Sequence, residues 1–122
     1  MFKQWDVWTV YWEHRDLLAA TPGKVRPALL ISDEEETARG GDLMFMKIST
    51  QRYAGVPDLP IQRSDGDEFT CAGLAISPSY IHYTSIQRLS RGDVGKRIGY
   101  AGAATVELLI DLMEDERKRR GP

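Results

Sequence analysis

The stretch Gly23 to Ser32, GKVRPALLIS, decides how the chain is interpreted. Its second half is a run of apolar residues, ALLI at residues 28–31, which is typical of a buried strand. Arg26 stands directly before Pro27, and the proline ring keeps the preceding residue in extended backbone. The stretch therefore predicts a strand over residues 25–31 that holds an arginine at its entrance.

The segments on either side are also rich in strand signals. Residues 6–12, DVWTVYW, are dense in β-branched and aromatic side chains, and a long loop ending in Thr21-Pro22-Gly23 follows them. Between the second and third strands, Asp33 precedes three glutamates, which predicts one short helix or a loop, stopped by Gly40-Gly41. Further strands are predicted over residues 43–49, 59–62, 80–89 and 95–100. Together these segments predict a mainly β architecture, a strongly bent β-barrel or sandwich.

The last part of the chain changes to a helical period. Val106, Leu109, Ile110 and Met113 recur at helical spacing, and Thr105 is a candidate N-terminal cap. We therefore predict a C-terminal amphipathic α-helix that packs on the strands. The helix ends in the basic run 117–120, RKRR, but cations at a helix C-terminus are favoured by the helix dipole in any protein. We favour that explanation over a nucleic-acid-binding arm.

Length and composition predict one globular domain over residues 1–122. The chain has 122 residues, of which 42% are hydrophobic and 28% charged, so it is long enough to bury a single core. No stretch approaches the ~20 consecutive apolar residues of a membrane helix, and the N-terminal MFKQWDVW lacks the apolar core of a signal peptide. We expect a cytoplasmic protein without a membrane partner.

The metal-ligating side chains are few. Cys71 is the only cysteine, and His14 and His82 are the only histidines, so neither an internal disulfide nor a Cys/His zinc cluster is expected. We predict no metal and no cofactor. The formal net charge of -2 argues weakly against a nucleic-acid binder. However, the acidic residues bunch in three segments, which leaves room for a positive face elsewhere: 33–36, 65–68 and 111–116.

Four groups of residues form a pattern along nearly the whole chain. They are Asp6-Val7-Trp8-x-Val10; Gly23-x-x-Arg26-Pro27 with its apolar run; Ile48-Ser49-Thr50-Gln51; and Gly73-Leu74 with Ser79-Tyr80-Ile81, followed by Gly95-Lys96-Arg97-Ile98-Gly99. In this order they resemble the MazF/PemK/Kid family of bacterial toxins. The resemblance implies an SH3-like β-barrel of the CcdB/MazF type that forms a homodimer. It also implies a toxin of a type II toxin-antitoxin system, which cuts single-stranded RNA such as mRNA without a metal ion, inhibits growth and is silenced by a cognate antitoxin.

Metal-free RNA cleavage needs a group that neutralises the reacting phosphate. An arginine suits this role because its planar fork stays charged and matches phosphate oxygens bidentately, and Arg26 is the candidate. The alternative is that Arg26 is a surface charge on an edge strand. The resemblance places the family's catalytic Thr/Ser at Ser49, with Thr50 as the neighbour to test. A hydroxyl at a strand end also commonly caps the loop backbone, so both interpretations of Ser49 stay open.

The proton carrier is harder to assign. Histidine is chemically preferred because its pKa lies near neutrality, so His82 and His14 are candidates. The chain departs from the family here, because residues 80–85, YIHYTS, contain no carboxylate where some members have an aspartate. Structural roles for both histidines are equally compatible with the sequence.

Binding of single-stranded RNA requires aromatic faces beside cations. We predict stacking on Trp12 and Tyr53, while Trp8 is expected in the core. Lys24 and Lys47 are candidate phosphate donors, and the loop over residues 51–57, which contains Gln51, Arg52 and Tyr53, is the expected site of base selection.

Two other functions fit the same fold class. One is a non-enzymatic interaction protein like the CcdB toxins, but these depend on an apolar, tryptophan-bearing C-terminal tail, whereas this chain ends in ERKRRGP. The other is a degenerate family member that binds RNA or a protein partner and no longer cuts. Fold alone does not separate these functions.

Overall fold

A computed structural model describes residues 2–13, 23–61 and 79–121 of the chain. Its elements, in chain order, are β1 Asp6–Trp12, β2 Lys24–Leu30, α1 Glu34–Ala38, β3 Leu43–Ser49, β4 Leu59–Pro60, β5 Tyr80–Leu89, β6 Val94–Tyr100 and α2 Ala103–Arg119. A 3₁₀ turn at Arg91–Asp93 joins β5 to β6. The predicted mainly β class with a short helix and a C-terminal helix is therefore confirmed.

The six strands form one antiparallel sheet in the order β4-β5-β3-β2-β1-β6. No pairing between β4 and β6 occurs among residues 2–13, 23–61 and 79–121, so closure into a barrel stays a prediction. The register of β3 and β5 shifts between the pairs Met46–Ile86 and Lys47–His82. Residues 83–85 thus have no partner in β3, and such an irregularity bends a strand.

Both faces of the sheet are buried. Side chains alternate across a strand, so neighbouring residues enter different clusters. The first cluster packs against α2 and contains Val7, Leu29, Met46, Ile48, Ile81 and Leu109. The second lies on the other face and contains Val10, Trp12, Ala28, Leu30, Leu43, Phe45 and Leu89. The near-continuous apolar character of β2 and β3 follows from this two-sided burial.

Helix α1 is stabilised at its N-terminus by a capping box between Asp33 and Glu36. The Glu36 amide donates to Asp33 Oδ1 at 2.8 Å, and the Asp33 amide donates to Glu36 Oε1 at 3.2 Å. This reciprocal pair satisfies two backbone donors that a helix start leaves free. Of the two alternatives for this segment, helix or loop, the structure shows the helix.

Helix α2 begins two residues before the predicted cap. Gly102 is its N-cap, and the amide of Val106 donates to the Gly102 carbonyl at 3.0 Å, so Thr105 is inside the helix. The assignment of Thr105 as the cap is therefore wrong. Leu109 is fully buried, but Ile110 lies on the exposed side, and Leu112 packs against the cluster instead. Among the described residues, no helix has the length and apolar character needed to cross a membrane.

Leu109 and Leu108 provide a matched test of the packing between α2 and the sheet. Their side chains are 0% and 55% exposed, respectively. We expect Leu109→Ala to lower the free energy of unfolding by about 2–5 kcal/mol, because a buried leucine loses its contacts and leaves a cavity. Leu108→Ala should change it by less than about 0.5 kcal/mol. Urea unfolding of both variants measures the difference, and equal effects would show that α2 does not pack as described.

Candidate active site

Arg26 lies in the interior of the sheet and is buried. It pairs with Val10 of β1, while β3 flanks β2 on the other side, and its side chain is only 8% exposed. The alternative of a surface charge on an edge strand is therefore wrong. Burial lowers the pKa of the Arg26 guanidinium, and the nearby Tyr53 partly opposes this. An arginine nevertheless stays charged in a protein.

The Arg26 guanidinium is not neutralised by the described part of the protein. No carboxylate of residues 2–13, 23–61 or 79–121 forms an ion pair with it. Its Nε is buried and has no hydrogen-bond partner in the part of the chain that the structure describes. A buried charge is costly unless an opposite charge accompanies it, so this position favours binding of an anion.

Lys47 lies on β3, the strand next to that of Arg26, and His82 lies on β5, one strand further. Lys47 pairs with Ala28 of β2 on one side and with His82 of β5 on the other. Continuing this register by two residues places Arg26 of β2 across from Ser49 of β3. By strand alternation their side chains share one face of the sheet. The structure therefore brings Arg26, Lys47, Ser49 and His82 to one end of that face.

The Lys47 ammonium group adds to the positive charge. Burial lowers the pKa of Lys47, and the charges of Arg26 and Lys24 lower it further. The Lys47 Nζ also lies 5.0 Å from the centroid of the Tyr53 ring, a cation–π contact. Three cations thus act on one another at this site, so they favour an anionic ligand.

His82 is buried and holds the loop that follows β3. It is 1% exposed, and its Nε2 lies 3.0 Å from the Gln51 carbonyl, which can only accept. In the neutral ring Nε2 is therefore the donor, and the buried Nδ1, which has no partner among the described residues, is the acceptor. Burial lowers the pKa of His82, as do Lys47 and Arg26, while the Gln51 hydrogen bond and Asp58 raise it. His82 is thus held in the neutral form.

The loop between β3 and β4 is tied at several points. The Gln51 amide donates to Ser49 Oγ at 3.1 Å, so Ser49 does cap the loop backbone. Arg52 binds Asp58 through two hydrogen bonds, at 3.0 and 2.8 Å, and its guanidinium lies 4.7 Å from the centroid of the Tyr80 ring. The Asp58 contacts raise the pKa of Arg52. The charge of Arg52 is therefore locally compensated, unlike that of Arg26.

Tyr53 connects this loop to the cationic residues. Its hydroxyl donates to Gln51 Oε1 at 3.0 Å, and its ring centroid lies 5.6 Å from that of His82. The ring is exposed. An exposed aromatic ring beside two cations has the features that stack a nucleobase next to a bound phosphate.

The family was then identified by comparison with known proteins. A sequence model of the PemK-like, MazF-like toxins of type II toxin-antitoxin systems matches residues 3–112. The chain belongs to this toxin family. The resemblance on the four groups of residues is therefore confirmed. No curated protein matches the chain.

Solved structures of related toxins share the fold of this MazF-like chain. An endoribonuclease in complex with its cognate antitoxin, from mycobacterial species, is 16% identical with a TM-score of 0.63, over 89% of this chain and 87% of that one. The Mycobacterium tuberculosis toxin MazF-mt6 is 18% identical with a TM-score of 0.58, over 85% and 89% of the two chains. An endoribonuclease from mycobacterial species is 17% identical with a TM-score of 0.57, over 88% and 82%. At these identities the likeness establishes the fold alone.

Of the remaining predicted site residues, those that the structure describes lie outside the group formed by Arg26, Lys47, Ser49 and His82. Trp12 is 3% exposed and packs in the second core cluster, so its predicted role as a stacking face is wrong for this chain: its indole is covered by its own protein. Lys24 and Thr50 are exposed near the ends of β2 and β3. Trp8 is partly buried against the second cluster, as expected for a core residue. His14 lies outside the described residues.

The pH dependence of stability tests the state of His82. Because its pKa in the fold lies below that of the unfolded chain, the unfolded chain binds the proton first as the pH falls. Stability should therefore decrease from about pH 6.5 downward to the folded pKa. His82→Gln keeps a donor for the Gln51 carbonyl but does not titrate. We expect its unfolding free energy to decline less than that of the wild type between about pH 7.5 and 5.5. Parallel curves would contradict this assignment.

Proposed function

We propose that this chain is a metal-independent endoribonuclease toxin that cleaves single-stranded RNA, including mRNA, and thereby inhibits growth. Membership of the toxin family supports the proposal. The observation that carries it is the buried, unneutralised guanidinium of Arg26 beside Lys47. Such a pair suits a phosphodiester because it supplies both planar donors and a second positive charge.

The proposed reaction uses the 2′-hydroxyl of the RNA as the nucleophile. The 2′-oxygen forms a bond to phosphorus while the bond to the 5′-oxygen breaks, which leaves a 2′,3′-cyclic phosphate and a free 5′-hydroxyl. One proton leaves the 2′-hydroxyl, and one is delivered to the 5′-oxygen. Arg26 stabilises the extra negative charge that the phosphate carries between these events, and Lys47 contacts the same group.

Ser49 and His82 are the candidates for contact with the moving protons. The Ser49 oxygen accepts a hydrogen bond from the Gln51 amide, and its own hydroxyl proton is still available for donation to a phosphate oxygen. The buried Nδ1 of neutral His82 is an acceptor without a partner, which a base requires. His14 stays a second candidate for this role, and Thr50 a second candidate for the hydroxyl.

The RNA is proposed to cross the loop between β3 and β4. Tyr53 stacks a base next to the scissile phosphate, Gln51 offers an amide to a base edge, and Lys24 contacts the backbone. Arg52 binds RNA only if a phosphate shares the Arg52 guanidinium with Asp58 or replaces Asp58 as its partner. This loop is suited to base selection, because its sequence can vary without a change to the sheet.

We also propose a cognate antitoxin and a homodimeric state. One supporting observation is that the endoribonuclease whose structure matches 89% of this chain is in complex with its cognate antitoxin. The antitoxin is proposed to cover the cationic site and to block RNA.

A catalytically degenerate protein is the alternative function. It is favoured by one observation, that His82 is buried and already bonded to the loop, while residues 80–85 offer no carboxylate to replace it. A protein of this kind binds RNA or a protein partner through Arg26 and Lys47 without cutting.

The first prediction of the proposed function concerns Arg26. Purified wild type should cleave end-labelled single-stranded RNA in the presence of a chelator, and Arg26→Ala should cleave about 10²-fold more slowly or worse, because one transition-state donor is worth a few kcal/mol. Arg88→Ala is the matched control, since Arg88 is exposed and pairs with Met44, away from the site. Circular dichroism of each variant verifies the fold.

The outcomes of this experiment separate the two functions. Equal cleavage by wild type and Arg26→Ala would remove Arg26 from the mechanism. Binding without cleavage by the wild type would favour the degenerate alternative. Cleavage that stops with the chelator and resumes with added metal would contradict metal independence.

A second prediction separates the two hydroxyls. Ser49→Ala should lower the cleavage rate by at least about tenfold, because a donor to the developing charge is lost, whereas Thr50→Ala should stay within about threefold of the wild type. Initial rates on one RNA substrate measure both. The unfolding free energy of Ser49→Ala, measured in parallel, should fall by only about 1 kcal/mol through loss of the cap. A Thr50→Ala effect larger than that of Ser49→Ala would reverse the assignment.

A further inference from the structure

The basic end of α2 lies next to the loop that flanks the candidate active site. A surface groove is lined by Gly55 to Pro57 on the loop side, by Thr84 of β5, and by Glu116, Arg119 and Arg120 on the helix side. A favourable interaction with the helix dipole is sufficient to explain the positive charge of these arginines. That explanation accounts for the charges but not for their position beside the loop.

The groove reaches the candidate active site only around the β3–β4 loop, because α2 packs on the face of the sheet opposite to Arg26 and Lys47. Val56 and Pro57 also line a second groove, whose walls include Tyr53 and Arg52. Tyr53 in turn contacts Lys47, at 5.0 Å from the ring centroid. A path along the surface therefore leads from Lys47 over Tyr53 and the tip of the loop to Arg119 and Arg120.

The two arginines are available to a ligand. Their side chains are exposed, and both pair with Glu116, at 3.7 Å for Arg119 and 3.2 Å for Arg120. The two arginine side chains are 78% and 70% exposed, but Glu116 is only 17% exposed and needs a partner. One arginine can bind phosphates while the other keeps the Glu116 carboxylate paired. Since two arginines share one glutamate, at least one positive charge remains uncompensated by it.

We propose that Arg119 and Arg120 form a second backbone-binding surface for single-stranded RNA, which extends the site from Arg26 and Lys47 across the β3–β4 loop. This inference rests on the proposed function. It identifies the ligand by its chemistry: a flexible chain with an anionic group at every repeat and bases that can stack on Tyr53. The contacts are to phosphates, so they raise affinity for long RNA without adding sequence selection.

Binding of RNA of two lengths tests the proposal. The probes are fluorescein-labelled 2′-O-methyl oligouridylates of roughly five and fifteen nucleotides, lengths within the range of known single-strand sites. The methyl group blocks the nucleophile, so binding is measured without cleavage. Arg119→Gln/Arg120→Gln is compared with Arg117→Gln/Lys118→Gln, which removes the same charge from the same helix end but not from the groove.

We expect the wild type to bind the longer RNA more tightly. The groove variant should lose at least about threefold in affinity for the longer RNA and should flatten the slope of log affinity against log salt by about 1.4, the value for two single-strand phosphate contacts. The shorter RNA should bind unchanged, and the control variant should change less on either length.

Other outcomes overturn the proposal, and they show whether the proposed function or only the second RNA-binding surface fails. If the wild type binds neither RNA, the proposed function fails and this inference with it. If both RNAs bind equally well, or if the two double variants lose affinity equally, only the second surface fails. If the groove variant binds RNA normally but loses affinity for a labelled oligoglutamate, the surface belongs to an acidic protein partner instead.

Discussion

The buried guanidinium of Arg26 is the constraint on which the site depends. Pro27 restricts Arg26 to extended backbone, and the strand places its side chain in the same row as Ala28 and Leu30, which lie in the second core cluster. The charge therefore sits at the edge of an apolar layer, where burial strengthens its interaction with any anion that reaches it. An exposed arginine would provide less, because water would screen it and its side chain would be free to move.

The bend in β5 explains how the other groups converge on this charge. Beyond Met46 the register of β5 shifts by three residues, so that His82 rather than a residue near 85 pairs with Lys47. His82 is thereby brought under the loop after β3, where its ring binds the Gln51 carbonyl and lies near Tyr53. One irregularity in the ladder thus links the anion site to the loop proposed to select bases. Burial, together with the charges of Lys47 and Arg26, lowers the pKa of His82 and keeps the ring neutral, as the proposed role of a base requires.

Sequence patterns predicted the strands well because two-sided burial makes them apolar and β-branched. The predicted strand ends differ by one residue at β2 and β6, whereas β4 ends at Pro60, two residues before its predicted end. The errors occurred where long-range packing decides. Trp12 was predicted to stack on RNA but is covered by the second core cluster, and no local signal distinguishes a buried from an exposed tryptophan at this strand end. The Arg52–Asp58 pair was not predicted either, because it depends on how the loop folds back over six residues. Because Asp58 already neutralises it, Arg52 is less available to an RNA phosphate than its position in the sequence indicated.

The difference between Arg26 and Arg52 also bears on the proposal that one site binds both an RNA and an inhibitory protein. A guanidinium fork binds a carboxylate in the same bidentate geometry as a phosphate, and Asp58 already occupies Arg52 in this way. Arg26 has no such internal partner among the described residues, so under the proposed function an acidic side chain from outside competes with RNA at Arg26 rather than at Arg52. Because Arg26 is 8% exposed, only a narrow anionic group reaches it. A protein inhibitor that neutralises Arg26 must therefore insert an acidic side chain. If it only covers the surrounding surface, the Arg26 charge stays buried and unpaired, which weakens binding.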